Sequence, residues 1–356
     1  MHAKKIISTV LAICLLCAFS ACAAAAPAVP QAQPETPQAQ PETPEINAAE
    51  TAHFPVEITT FNFEGDEILT VYYQAPTRVV AIYQGSIETM IALGLEDSVI
   101  ASFGLDNELR EEWQASLERM NYDDSVFAPE RETVIMLEPD KIFSWGSIFG
   151  NRLGDVYYWI ESGVNTYINT NTRRGGHPRT VENEFTDILN IGRIHNVEYR
   201  ARALVEEMQS AIDEALALAE EIETQRVAVI EFWEDGTIAN YPSDQLGGNM
   251  VERLGGELAI PELSRIGLED LLEADPDIIF VVFMERYGPE GEDAAAASIA
   301  KVMDNPVLSS LSAVQNQRVY SIMLGDMFAS AVRTLDGIRT FASGMFPELA
   351  SSDNDE

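Results

Sequence analysis

Residues 54–75 alternate apolar and polar types, with Val56 and Ile58 before Glu64-Gly65-Asp66 and Ile68 to Tyr73 after it. A period of two on either side of a turn predicts a β-hairpin. Arg78 to Tyr83 is a continuous apolar run, the mark of a buried strand, and Gln84-Gly85-Ser86 turns it into a helix. That helix places Ile87, Met90, Ile91 and Leu93 on one side and ends at Gly94. Further strands are predicted over 98–103, 141–145 and 165–168, with helices over 107–120, 131–137 and 152–162. From Glu182 to Thr224 there is no proline and one glycine, Gly192. Beyond Asn196, the spacing of Ala201, Leu204, Val205, Met208, Ile212, Ala215 and Leu216 is helical. As one helix this second part is roughly 40 Å long at about 1.5 Å per residue, a rigid link between the two halves of the chain. The second half then offers strands over 226–232, 278–283 and 319–323, and helices over 244–254, 268–273, 294–303 and 334–346. Alternating strands and helices predict parallel α/β architecture.

Within this pattern the chain echoes itself. Glu132 leads through an apolar helical stretch (Thr133 to Leu137) to Pro139-Asp140 and the strand Lys141 to Trp145. Glu269 leads through Leu271 and Leu272 to Pro276-Asp277 and the strand Ile278 to Val282. One such unit in each half predicts two similar Rossmann-like lobes joined by a long rigid helix, with a ligand cleft between them.

The ends add an address. Lys4 and Lys5 precede an apolar stretch, Ile6 to Phe19, too short to span a membrane comfortably. Phe19-Ser20-Ala21-Cys22 reads as a lipobox, with Phe19 in place of the usual Leu; the alternative is a plain secretory signal cut near Ala24 or Ala26. Residues 23–52 are a tether of Ala, Pro, Gln, Glu and Thr, in which Gln31 to Pro37 is repeated as Gln38 to Pro44. Such a sequence favours an extended chain of about 3.1 Å per residue. The division expected is therefore a signal and lipobox over 1–22, the tether over 23–52 and an N-terminal lobe over 53–185. A connecting helix over 186–225, a C-terminal lobe over 226–350 and an acidic tail over 351–356 complete it. The three cysteines all lie at or before Cys22, which leaves the folded part no disulfide, thiolate metal site or cysteine nucleophile.

Net charge is −36, and the four lysines are Lys4, Lys5, Lys141 and Lys301. A surface this acidic excludes nucleic acid as a partner. There is no Gly-x-Ser-x-Gly elbow, His-Glu-x-x-His, Gly-x-Gly-x-x-Gly or P-loop to carry an enzyme reading. His53, His177 and His195 are too widely spaced for a closed metal site. A single axial haem ligand would leave no spacing signature.

Taken in order, these segments resemble the substrate-binding lipoproteins of bacterial importers for iron-siderophores, cobalamin and haem. This is the class III periplasmic binding proteins, whose lobes are joined by one long helix. The resemblance is carried by Arg78-Val-Val-Ala-Ile82 with Glu88 to Gly94, and by the paired units Glu132 to Asp140 and Glu269 to Asp277. Thr180 to Ile194 and Leu311 to Tyr320 complete it, and it covers about 54–350. It implies a monomeric, non-enzymatic receptor without a cofactor, outside the cytoplasm and lipid-anchored at Cys22. That receptor would bind a ferric-siderophore-type chelate, with cobalamin or haem as alternatives, and pass it to an ABC permease homodimer or heterodimer with its ATPase. An extracellular hydrolase and an adhesin are the competing classes. The resemblance also implies that Glu132 and Glu269 dock onto the permease. The competing role for both is to stabilise a helix N-terminus.

In such folds ligands sit at the carboxyl ends of the strands. The candidate ligand residues are then Tyr83, Gln84 and Ser86; Trp145 and Ser147; Arg173, Arg174 and His177; Trp233 and Tyr241; and Arg286 and Tyr287, with 324–328 as a further loop. The stretch Thr172 to Arg179, with three arginines and a histidine, is the expected clamp on an anionic chelate. Its alternative is a solvated loop paired with surplus acid. Trp145, Trp233, Tyr241 and Tyr287 are the expected aromatic wall, each with core packing as its alternative.

Overall fold

The expected hairpin forms from β1 (Val56–Phe61) and β2 (Glu67–Tyr72), antiparallel, with Val56 opposite Tyr72. The structure is a computed structural model describing residues 53–284 and 292–352. Cys22, the tether, Arg286, Tyr287 and the end of the acidic tail lie outside the described residues.

Two α/β lobes come next in the chain. The first has a parallel sheet of β3 (Val79–Ile82), β4 (Val99–Phe103), β5 (Lys141–Ser144) and β6 (Asn165–Ile168), in the order β4-β3-β5-β6. The second contains β7 (Arg226–Phe232), β8 (Ile238–Asn240), β9 (Glu257–Leu258), β10 (Arg265–Ile266), β11 (Ile278–Phe283) and β12 (Val319–Met323). Here β9 and β11 flank β7 in parallel and β12 extends the sheet beyond β11, the same kernel as in lobe 1. Lobe 2 adds two short antiparallel strands, with β8 on β7 and β10 on β8. The sequence pattern misses β8, β9 and β10, which are too short to show a period.

Apolar runs form these strands because both faces of each sheet are covered. Val79 and Ala81 of β3 enter one core, Val80 and Ile82 another. Val227 and Val229 of β7 and Ile278 and Phe280 of β11 enter the same core as Val79, while Ala228, Ile230, Ile279 and Val281 enter a third. The shared core is continuous between the lobes. It is filled by residues of α1 (Gln84–Ala92), α3 (Val181–Ile194), α4 (Glu198–Ala219), α5 (Leu246–Arg253) and α8 (Thr334–Met345). The outer core of lobe 1 is covered by α2 (Arg131–Leu137), and that of lobe 2 by α6 (Leu268–Ala274) and α7 (Glu292–Met303).

The expected connecting helix over 186–225 is divided: α3 ends at Ile194 and α4 starts at Glu198. Asn196 takes a left-handed conformation at φ 56°, and the Val197 amide turns back to the Gly192 carbonyl at 2.8 Å. Gly192 is required here because a Cβ on it would lie 2.4 Å from the Cβ of Ala201. The two helices therefore cross in close contact, and the link to lobe 2 is α4 alone.

The repeated Pro–Asp has the same structural duty in both lobes. Helices α2 and α6 each end on a left-handed residue, Glu138 at φ 48° and Asp275 at φ 41°. Each is followed by a buried proline, Pro139 or Pro276. The Asp140 carboxylate then accepts the Thr77 and Arg78 amides at 2.8 and 3.0 Å, just before β3. The Asp277 carboxylate accepts the Arg226 amide at 2.9 Å, at the start of β7. In each lobe the third strand's approach thus anchors the start of the first.

Candidate functional site

The carboxyl ends of β3, β4 and β5 face those of β11 and β12 across a cavity of about 280 Å³. Lobe 1 supplies Tyr83, Gln84, Gly85, Asp106, Asn107, Phe127 and Trp145; lobe 2 supplies Met284 and a wall from Leu324 to Ser330. Tyr83 leaves β3 at φ 84° and ψ 156°, a conformation costly for any residue with a side chain and commonest at functional sites. Its ring stacks on Trp145 at 3.7 Å and meets Phe127 edge-on at 5.3 Å, and Phe328 stands 6.3 Å from Trp145 across the cleft. Aromatic faces of this kind bind a bulky ligand with little loss of side-chain freedom.

Hydrogen bonds fix the lobe 1 side. The Tyr83 hydroxyl donates to Asp106 at 2.6 Å, and Asn107 Nδ2 donates to the other Asp106 oxygen at 3.0 Å. Gln84 Oε1 accepts the amides of Asp106 and Asn107, and its Nε2 donates to Glu88 at 2.6 Å. A second hollow of about 580 Å³ lies in lobe 2 between β7, β11 and α7, lined by Phe232, Trp233, Ser298 and Lys301 among others. Met284 lines both spaces.

Behind the cavity lies a band of buried carboxylates. Glu88 is fully buried and receives Arg333 through both carboxylate oxygens at 2.8–3.0 Å. Burial opposes the Arg333 charge, but hydrogen bonding to Glu88 outweighs it and raises the guanidinium above its ordinary value. Burial lifts Asp326 to about 7, against the pull of Arg333. Burial, then repulsion from Asp187, lifts Glu184 to about 8, while Asp187 rises to about 6 through burial opposed by its Thr170 hydrogen bonds.

Of the residues expected to bind ligand, Tyr83, Gln84 and Trp145 line the cavity. Several others are placed elsewhere. Ser86 is fully buried at the start of α1 and donates to Asn169, while Ser147 lines neither space. The expected arginine clamp folds back onto the hairpin. Arg173 lies over Phe61 and Arg174 over Phe63 at 4.3 and 5.4 Å, the Arg174 amide donates to the Phe63 carbonyl, and His177 packs beside Gly65. Both guanidinium groups lie over hairpin rings, and neither side chain lines the cavity. Arg179, at the end of that loop, instead stacks at 3.9 Å on the cavity residue Phe328. Trp233 belongs to the second hollow, and Tyr241 is buried with its hydroxyl donated to Glu231 at 2.8 Å.

Asp106, Asn107 and Phe127 were missed. The rule that nominates loops after strands applies equally to β4, but the helical reading of 107–120 concealed its loop; in fact only Glu111–Arg119 is helical there. Glu132 and Glu269 are exposed, each in the first turn of its helix. Among the described residues, no cluster of His, Cys, Asp and Glu could hold a metal ion, and no helix is long and apolar enough to cross a membrane.

A family model described as periplasmic binding protein matches residues 79–323. The chain belongs to the periplasmic binding protein family. It is a binding protein and not an enzyme, and the family's setting is outside the cytoplasm. No curated protein sequence matches it. Among solved structures it is similar to a periplasmic binding protein from Veillonella parvula DSM 2008, with 28% identity, 84% of this chain and 93% of that chain covered, and a TM-score of 0.77. The fold is also that of an ABC-type Fe3+-hydroxamate transport system protein from Saccharomonospora viridis DSM 43017, at 20% identity, 83% and 100% coverage and a TM-score of 0.62. It is shared again by the periplasmic catecholate-siderophore binding protein of Vibrio cholerae, at 16% identity, 83% and 100% coverage and a TM-score of 0.61. The matched family region spans the sheets of both lobes, the lobe 1 side of the cavity and Met284, and ends just before the wall that begins at Leu324.

Proposed function

We propose that this periplasmic binding protein captures a ferric chelate of the siderophore type and presents it to an ABC importer. The observation that carries the reading is the cavity itself, at the carboxyl ends of strands from two lobes and walled by Tyr83, Phe127, Trp145 and Phe328. About 280 Å³ is small for such a chelate, and the hollow beyond Met284 supplies the room for its periphery. The structural relatives described as an Fe3+-hydroxamate transport system and a catecholate-siderophore binding protein support the same class. With Arg173 and Arg174 outside the cavity lining, Arg286, two positions beyond Met284 in the sequence, becomes the candidate arginine for an anionic chelate, with Tyr287 next to it in the sequence.

Glu132 and Glu269 are the proposed contacts with the two permease subunits, since charge-assisted pairs orient a transient complex. Cys22 is the proposed lipid attachment, with residues 23–52 as the tether. Reversing both docking charges should abolish uptake and leave chelate affinity intact, and Cys22→Ser should abolish incorporation of labelled lipid.

The deciding experiment is tryptophan fluorescence titration of residues 53–356 with ferric hydroxamates, ferric catecholates, haem and cobalamin. Saturable one-to-one quenching by a ferric chelate is expected, weakened about tenfold or more by Tyr83→Ala, which removes the stacked ring. Arg173→Ala and Arg174→Ala should bind as the parent does. Quenching by haem or cobalamin alone would replace the cargo, and silence across the panel would overturn the chelate reading.

A further inference from the structure

The wall that lobe 2 gives the cavity is attached to lobe 1. Phe328, Ala329 and Ser330 line the cavity and come after the last strand of lobe 2. The backbone around them is under strain, with Ala329 at φ 54° and Ala331 at φ 50°, positions where a non-glycine residue persists only if its surroundings hold it. Four residues of lobe 1 do so. The Ala331 amide donates to Glu184 Oε2 at 2.9 Å in a buried contact. Arg333 donates to both oxygens of Glu88 and, through Nη2, to the Glu108 carbonyl at 2.6 Å. Gly85 brings the start of α1 so close that a Cβ there would lie 3.2 Å from the Cβ of Ala331. The same Gly85 and the neighbouring Gln84, itself bonded to Glu88, face the cavity.

We propose that residues 328–333 form a strap, part of lobe 2 by sequence but latched to lobe 1, and that Glu88 and Glu184 are positioning residues which set the cavity's shape without touching its ligand. The two latches differ chemically. Glu88 opposes a cation and needs its charge. Glu184 accepts the Ala331 amide on one oxygen and an Asn171 amide at 2.7 Å on the other, and the single carbonyl oxygen of a neutral amide can take over the Ala331 bond. A buried acceptor that is removed leaves the Ala331 donor unpaired.

The test is hydrogen exchange of the full chain, with no ligand needed, which keeps it independent of the cargo assignment. Glu88→Gln and Glu184→Ala should each speed exchange across 328–334 by about tenfold or more, with strands β3 and β7 exchanging at the parent rate. Glu184→Gln should restore slow exchange at Ala331, a rescue that simple core damage would not show. Glu207→Gln, which neutralises the exposed partner of Arg339 between α4 and α8, should leave the strap unchanged. Unchanged strap exchange in Glu184→Ala would overturn the proposal, as would faster exchange spread evenly over both sheets. If Glu88→Gln fails to fold, the contrast between Glu184→Ala and Glu184→Gln decides alone.

Discussion

The two lobes contain the same helix–Pro–Asp–strand unit, yet at the first strand position one buries Lys141 and the other Ile278. Both side chains are fully buried. Ile278 enters the shared apolar core. Lys141 points to the break between α3 and α4, where its Nζ lies 3.2 Å from His195 Nε2 and within 6 Å of the rings of Phe143 and Tyr167. Burial pushes the Lys141 ammonium down to about 7, with Asp140 opposing. Burial, then Lys141, holds His195 well below its ordinary value. The backbone unit therefore does not require an apolar residue at this place. Lobe 1 tolerates a lysine because the interrupted helix supplies a polar partner, and lobe 2 lacks that partner.

The comparison breaks most visibly if the lysine is moved. Ile278→Lys would bury a charge against Val227 in the apolar core, and should cost about 3–5 kcal/mol, read by urea unfolding. Next in size are the carboxylates that both lobes use alike. Asp140→Ala and Asp277→Ala each leave strand amides without their charged acceptor and should cost about 1.5–3 kcal/mol. Asp140 should cost the more, since it accepts two backbone amides and the Thr77 hydroxyl, whereas Asp277 accepts the Arg226 amide. Equal costs near zero would reduce the repeat to an accident of sequence.

The reverse exchange, Lys141→Met, should stabilise the protein by about 1–2 kcal/mol at neutral pH, as replacing buried ionic groups by apolar ones commonly does. It carries a pH signature as well. Between about 7 and the ordinary lysine value, the unfolded chain holds a proton on Lys141 that the folded chain does not. Stability therefore rises with pH across that window, and below it Lys141 adds no further pH dependence while its cost is fully present. The depressed His195 adds a rise of the same sign below the ordinary histidine value. Chemical denaturation from pH 6 to 10 should show the alkaline part of this slope in the parent and lose it in Lys141→Met.

Legibility in the sequence depends on burial on two faces or one. Strands buried on both sides, Arg226–Phe232 and Ile278–Phe283, coincide with the bounds expected from their largely apolar runs. The helix break is barely visible, because His195 and Asn196 do not stop a helix by themselves; it shows in the left-handed turn at Asn196 and in the close packing of Gly192 on Ala201. The cavity was legible where residues leave a recognised strand, as at Tyr83, Gln84 and Trp145. The position of the arginine cluster, away from the cavity lining, was not legible, because charge composition shows an unusual group without showing what it faces. Phe61 and Phe63, on the hairpin, are far from Arg173 and Arg174 in sequence yet occupy both.

The smallest expected effect concerns the glutamates with which the two repeats begin. If Glu132 and Glu269 serve their helices, neutralising each should cost about 0.3–1 kcal/mol through the macrodipole. The two helices would then respond unequally. In α6 the Gly267 amide is already capped by Asp270 at 2.8 Å, whereas α2 has no side-chain cap, and Glu132 is its first-turn acid. Glu132→Gln should then be the more damaging. If both are reserved for a partner, each substitution should stay within about 0.5 kcal/mol, as exposed positions do, with no difference between the lobes. Unfolding titrations of Glu132→Gln and Glu269→Gln side by side read that difference. A loss confined to Glu132 would return that residue to helix support and leave the paired docking contact without its lobe 1 half.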